Sequence, residues 1–322
     1  MENKFIVSMS PHIHEKEGIS GIMLDVIIAL MPAVIAGVYY FGYRAAMVII
    51  TAVASCVLFE YLYNKIMKKK TTVGDLSAIV TGILLGLNLP STIPLWMTVV
   101  GSCFAIVLVK QIYGGIGKNF MNPALAARCF MLIAWAGAMT KFAEPLQGAD
   151  VISSATPLGV MKGTSEGVIP TLRDAFWGKV PGSIGETSVF AILVGFVYLL
   201  LRRIISWKIP VCFIASFAVL TFLFGNNDIT SMTRLDFTLM QICTGGIMLG
   251  AVFMATDYTT TPTTPAGLYI FGIGCGVLTF VFRKFGGYPE GTSFAILLMN
   301  ILVPQIEKFT IPKQFGEVRK DA

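Results

Sequence analysis

The chain has 322 residues, 55% of them hydrophobic and only 13% charged, with a mean hydropathy of +0.75. A soluble domain is about 25% charged, so most of this surface must face something other than water. The formal net charge of +6 lies mainly between apolar runs, which reads as membrane topology and not as a nucleic-acid interface.

Residues 1–20 form a polar segment holding His12, His14, Glu15, Lys16 and Glu17. They lack the charged, apolar, small-residue order of a cleavable leader. Beyond them come runs able to cross a hydrocarbon core, which takes roughly 20 helical residues. They are 22–41, 45–62, 93–109, 123–139, 191–205, 209–224, 239–255 and 266–282, with two shorter runs at 76–89 and 293–303. The expected fold is therefore an all-α polytopic membrane protein of about ten transmembrane helices. The six cysteines stand singly in apolar runs with no CxxC pair, so no metal site is expected from this chain.

An even number of crossings puts both termini on one side. Fifteen lysines and arginines then fall on that side and eight on the other, with Arg128 inside a span. The positive-inside bias makes the termini cytoplasmic.

The spans repeat. "TGILLGLNLP" opens the third run and "TGGIMLGAVF" lies in the eighth, matching Gly82 and Gly86 to Gly246 and Gly250. Gly114-Gly115 match Gly286-Gly287, at spacings of 28 and 36 residues from the preceding glycines. Each copy would hold five spans, and because five is odd the two copies are inverted, an arrangement that places ligand sites between halves. The expected organisation is a cytoplasmic segment 1–20, a first five-helix repeat 21–139, an extracytoplasmic loop 140–186, a second repeat 187–308 and a cytoplasmic tail 309–322.

Ionisable groups within or beside spans are costly and therefore informative. They are Asp25, Glu60, Asp75, Arg128 and Asp257. Asp75 precedes a helical run and suits its start. Asp25 and Asp257 are candidates for an ion pathway. In "GGIGKNFMNPALAAR" the glycines allow close backbone approach, and Asn119 and Asn122 supply amides before Pro123 begins a helix. That arrangement can present N–H groups to a phosphate or to a flavin ring edge, which makes these two asparagines candidate contacts. In "DVISSATPLG", Pro157 disfavours helix at Thr156, which should leave it extended with its hydroxyl accessible.

Asp150, Ser153, Ala155 and Thr156 make a D-x-x-S-x-A-T pattern that resembles the flavinylation sequence of two related membrane subunits. Together with "GGIGKNFMNPA", "MATDYTTTP" and the glycine-rich repeats, it makes the chain similar over about residues 5–310 to one family. That family holds the D subunit of the Rnf ferredoxin:NAD⁺ oxidoreductase and the B subunit of sodium-pumping NADH:quinone oxidoreductase. Ser154 stands where the family has glycine. The compact N-terminal region favours the first branch over the quinone-reducing one.

The resemblance implies a multi-pass subunit of an ion-translocating oxidoreductase in a bacterial or archaeal cytoplasmic membrane, not catalytic alone. It implies FMN joined through its phosphate to Thr156 by a flavin transferase, and a second, non-covalent flavin (riboflavin) among the helices; Lys162 and Arg173, as charges in the same loop, are candidates to pair with that phosphate. The implied partners are the other Rnf subunits, one bearing FMN and others iron–sulfur clusters. A channel or secondary transporter with inverted repeats is the rival reading, and the attachment pattern is what separates the two.

Overall fold

The structure, a computed structural model, describes residues 18–146, 153–225 and 232–311. Helix α1 runs Ile19–Ile66. Straight, 48 residues would be about 72 Å long at 1.5 Å per residue, against a hydrocarbon core of about 30 Å. Gly42 breaks it with φ 69° and ψ −159°, a conformation that favours glycine. The chain folds back there: Ser20 Oγ donates to the Gly74 carbonyl at 3.3 Å, and the Thr72 hydroxyl donates to Glu60 at 2.5 Å. The runs expected at 22–41 and 45–62 are the two arms of this hairpin.

Helix α2, Ser77–Leu87, packs along the second arm. At its start the Asp75 carboxylate accepts from the Ser77 N–H at 2.8 Å, the role its position suggested. A Cβ on Gly82 would lie 2.6 Å from Val53 Cα, and one on Gly86 3.0 Å from Ile49 Cα. Those glycines are there for close helix packing.

Helix α3, Leu95–Cys103, continues as a wider π-helix through Phe104–Gln111. Helix α4, Pro123–Ala134, ends at Trp135 and is followed by the short α5, Ala136–Met139. Strands β1, Phe142–Ala143, and β2, Ser153–Ser154, pair antiparallel. Two short helices follow, α6 at Pro157–Met161 and α7 at Leu172–Trp177. Then come α8, Val189–Leu201, α9, Lys208–Phe224, and α10, Arg234–Cys243. Helix α11, Ile247–Leu249, runs into a π-helix at Gly250–Met254. Helices α12, Pro265–Phe285, and α13, Thr292–Thr310, close the described chain.

The molecule is mostly helical and its helices are apolar, as a membrane protein requires. Among the described residues, α1 and α12 are each long and apolar enough to cross a membrane, and α10 with α11 forms a third such unit bent by 62°. Several expected crossings are shorter or interrupted. The run 76–89 is helical only to Leu87, 123–139 breaks at Trp135, and 191–205 is helical to Leu201. The run 239–255 breaks where Gly245 takes φ 74°. The run 293–303 is part of a longer helix, α13.

The shortened ends are closed by chain from elsewhere. Ile184 N–H donates to Leu89 O at 3.1 Å and Gly185 N–H to Leu87 O at 2.8 Å, so the segment before α8 satisfies carbonyls that α2 leaves open. That insertion carries Glu186 into the interior. The outside is apolar, with Tyr39, Ile50 and Val197 exposed, while Glu60, Lys110, Arg128 and Glu186 are buried.

Candidate functional site

Two polar regions are built inside this apolar shell. The first is a cavity of about 430 Å³ between the start of α1, α2, the glycine-rich turn and the end of the second π-helix. Gly114, Gly115 and Gly117 have φ of 116°, 91° and 84°, so the turn needs residues without a Cβ. Their repeat partners Gly286 and Gly287 are not among the positive-φ glycines, so the sequence match does not extend to the backbone. The turn delivers Asn119 and Asn122 to the cavity wall.

Asn122 caps α4: its Oδ1 accepts from the N–H groups of Ala124 and Leu125 at 3.0 and 3.3 Å, while Nδ2 donates to Met254 O at 3.4 Å. Asn119 Nδ2 donates to Thr259 Oγ1 at 3.0 Å. Thr259 and Thr260 hydroxyls donate to Asp257 Oδ2 at 3.1 and 3.3 Å. Both asparagines and Asp257 therefore share one wall, assembled from distant parts of the chain. Walls of Ile22, Val26, Leu84 and Phe253 complete the cavity. Its size and its few convergent polar groups are those of a small-molecule site, and the residues fit a planar, hydrogen-bonding ring such as a flavin.

Lys110 also lines it. The amine donates to Glu60 Oε2 at 2.7 Å and to Ser77 Oγ at 2.6 Å. In the sequence Lys110 reads as a cytoplasmic loop charge. The π-helix carries it inward, a geometry often found at functional positions. Asp25 is elsewhere: it accepts from Tyr198 Oη at 2.7 Å and pairs with Arg202 at 3.0 Å, tying α1 to α8. The structure does not bring Asp25 and Asp257 together.

The second region surrounds Thr156. Its backbone is extended, with φ −71° and ψ 147°, as Pro157 dictates. Its hydroxyl is not freely accessible, contrary to expectation: the residue is only 9% exposed, and Oγ1 accepts from the Gly159 N–H at 3.2 Å. The cause is the apolar sequence that follows, because Leu158 and Met161 pack with Val180, Phe237 and Met240 and draw the end of the motif inward. Ser154 and Ala155 are half-buried, Ser153 lies in β2, and Asp150 lies outside the described residues.

Thr156 faces a narrow cavity of about 40 Å³ that it shares with Asn88, Arg128, Ser183 and Glu290. That space is far too small for a flavin ring. On the other side of the motif, Ser154, Ala155, Pro157, Val168 and Lys179 line a hollow of about 490 Å³, which has the room. The hydroxyl is the right chemistry for a phosphoester, and Thr156 itself lines the narrow cavity and not the hollow.

Lys162 does not stand beside Thr156 as a free cation. Its amine donates to the carbonyls of Gly286 and Tyr288, and burial lowers its pKa. Arg173 is on α7, away from the motif's narrow cavity. Lys179 lines the hollow, and the cation that shares the narrow cavity with Thr156 is Arg128. Its Nη1 donates to Ser293 Oγ at 2.7 Å, its Nη2 lies 2.9 Å from Glu186 Oε1, and it pairs directly with Glu290. Sequence reading marks Arg128 as a charge in a span but names neither glutamate, since both sit in connecting segments where a carboxylate is unremarked.

A model of the NQR2, RnfD, RnfE family matches residues 6–316. The chain is 46% identical over 326 residues to the D subunit of the Na⁺-translocating ferredoxin:NAD⁺ oxidoreductase complex of Acetobacterium woodii, covering 100% of this chain and 99% of that protein. It is 41% identical over 327 residues to the D subunit of the proton-translocating ferredoxin:NAD⁺ oxidoreductase complex of Clostridium ljungdahlii, covering 99% and 98%. To the D subunit of the ion-translocating oxidoreductase complex of Stutzerimonas stutzeri it is 38% identical over 335 residues, covering 94% and 93%.

Proposed function

The chain belongs to the NQR2, RnfD, RnfE family, and from that premise we propose that it is the D-type membrane component of a ferredoxin:NAD⁺ oxidoreductase complex that moves Na⁺ or H⁺. The observation that carries this is end-to-end similarity to subunits of that name, at 46% and 41% identity. Its partners are the remaining subunits of the complex and, for cofactor attachment, a flavin transferase. The ten-crossing topology belongs to this reading: two inverted repeats at 21–139 and 187–308, cytoplasmic ends at 1–20 and 309–322, and 140–186 facing outward. Its place is the cytoplasmic membrane.

In this reading Thr156 carries FMN as a phosphoester. Asp150, Ser153 and Ala155 supply the sequence that the transferase recognises. Bound flavin supplies one- and two-electron transfer that no side chain here provides. The chain's part is to hold and surround it. The hollow beside Ser154 and Pro157 takes the bulk of the tethered group. Asn119, Asn122 and Asp257 line a separate cavity sized for a second, non-covalent flavin. Lys110, locked on Glu60 and Ser77, gives that cavity a fixed, charge-paired polar edge.

The test is co-expression with a flavin transferase, followed by a denaturing gel viewed for flavin fluorescence. Wild type should fluoresce and gain the mass of FMN less one water. Thr156→Ala should do neither. Thr156→Ser, which retains both hydroxyl and helix cap, should be modified in part. A dark wild-type band beside an active transferase sinks the attachment and promotes the transporter reading.

A further inference from the structure

Glu186 is 2% exposed, and neither of its carboxylate oxygens accepts a hydrogen bond. Arg128 Nη2 is 2.9 Å from Oε1, but its N–H is not aimed at that oxygen. Glu290 pairs with the same Arg128 nitrogen, so the two carboxylates converge on Nη2. Glu186 borders a space of about 10 Å³ shared with Thr156, Thr187, Thr244 and Glu290.

The charged groups around it come from four parts of the fold. Arg128 is on α4, Glu290 precedes α13, Glu186 precedes α8, and Arg283 is on α12. Arg283 donates to Gln241 O at 2.6 Å and to Thr244 O at 3.2 Å, so its N–H groups serve the broken end of α10 and not the carboxylates. It still faces the same point: a Cβ on Gly245 would meet Arg283 Nη2 at 2.9 Å and Glu290 Oε1 at 3.6 Å. A Cβ on Gly246 would meet Glu186 Oε1 at 2.7 Å. The helix break makes room for this cluster.

Two ionised carboxylates converge on one nitrogen of Arg128, and Arg283, whose N–H groups go to Gln241 and Thr244, hydrogen-bonds neither, so the like charges repel across a single donor. One proton removes the conflict, because it turns an acceptor into a donor aimed at the other carboxylate. We propose that Glu186 and Glu290 share a single proton, so that the cluster presents one net positive charge to the Thr156 hydroxyl and matches a phosphodiester formed there. The balance is two arginine cations against one negative charge on the protonated pair. Esterification joins Thr156 Oγ1 to the flavin-side phosphorus of a flavin dinucleotide; the pyrophosphate P–O bond breaks, the nucleoside monophosphate leaves, the hydroxyl proton is released, and the resulting diester carries a single negative charge. The second half of the proposal rests on the reading of Thr156 as the flavin attachment.

The test is infrared spectroscopy of the full chain in lipid nanodiscs at neutral pH. Wild type should show a protonated-carboxyl absorption that is missing from both Glu186→Gln and Glu290→Gln, since either variant leaves one glutamate ionised against Arg128. Loss in only one variant, or in neither, overturns the shared proton. Thr156→Ala should keep the absorption. If wild type shows the absorption but no covalent flavin, only the attachment reading fails. If covalent flavin is present without the absorption, this proposal fails. Each single glutamine variant keeps one net positive charge and should keep covalent flavin at the wild-type level. Arg128→Gln combined with Glu186→Gln removes one arginine cation together with the shared proton and leaves Arg283 against Glu290, so the cluster is neutral and most covalent flavin should be lost. Wild-type flavin content in that double variant overturns the charge matching.

Discussion

Lys110→Met tests whether buried charge organises the cavity that Asn119, Asn122 and Asp257 line. Lys110 is 3% exposed and Glu60 is fully buried, with 2.7 Å between amine and carboxylate. Methionine fills nearly the same volume, so little of the effect would come from a cavity. What remains is Glu60 with its charge in place and only Thr72 donating, at 2.5 Å. Breaking a buried pair from one side costs about 3–5 kcal/mol, and ~4 kcal/mol is roughly a thousandfold in the folding equilibrium. Lys110→Met combined with Glu60→Gln removes both charges and should lie within about 1 kcal/mol of wild type. The assay is reversible unfolding in mixed micelles, followed by tryptophan fluorescence and circular dichroism, across wild type, both single variants and the double. With each single change breaking the pair from one side, the coupling between the two sites should be at least about 5 kcal/mol. A double variant as unstable as Lys110→Met, or a Lys110→Met indistinguishable from wild type, would refute the argument.

Gly42→Ala should destabilise by about 1–3 kcal/mol, because alanine must adopt a strained backbone at the turn of the hairpin; the same unfolding assay reads it. Gly82→Leu should lose its monodisperse peak on gel filtration, since its Cβ would meet the Val53 backbone at 2.6 Å. Gly21→Leu, where nothing lies within 4 Å, should elute like wild type. Asp257→Asn keeps an acceptor for Thr259 and Thr260 but removes the charge; in reconstituted complex it should reduce ion transport more than flavin content. Asp25→Asn should do the same, and normal pumping by both variants marks those carboxylates as structural.

The sequence alone determined the apolar shell and many of its joints. Hydropathy separates membrane-compatible runs from loops without reference to any partner, because lipid favours each apolar residue independently of its neighbours. Local stereochemistry is equally legible. Pro123 opens α4 behind an asparagine cap, Asp75 serves the start of α2, and Pro157 holds Thr156 extended. Each of these depends on residues a few positions apart. Tertiary structure decided what the polar groups do. Helix lengths shifted where other chain segments took over the hydrogen bonds of a helix end, as residues 184–185 do for α2. Thr156 is extended as its sequence requires, yet buried, because Leu158 and Met161 find apolar partners in distant segments. Asn119 meets Thr259, Glu60 meets Lys110, and Arg128 meets Glu186 and Glu290. A buried charge is stable only beside its partner, and the fold, not the spacing along the chain, chooses that partner.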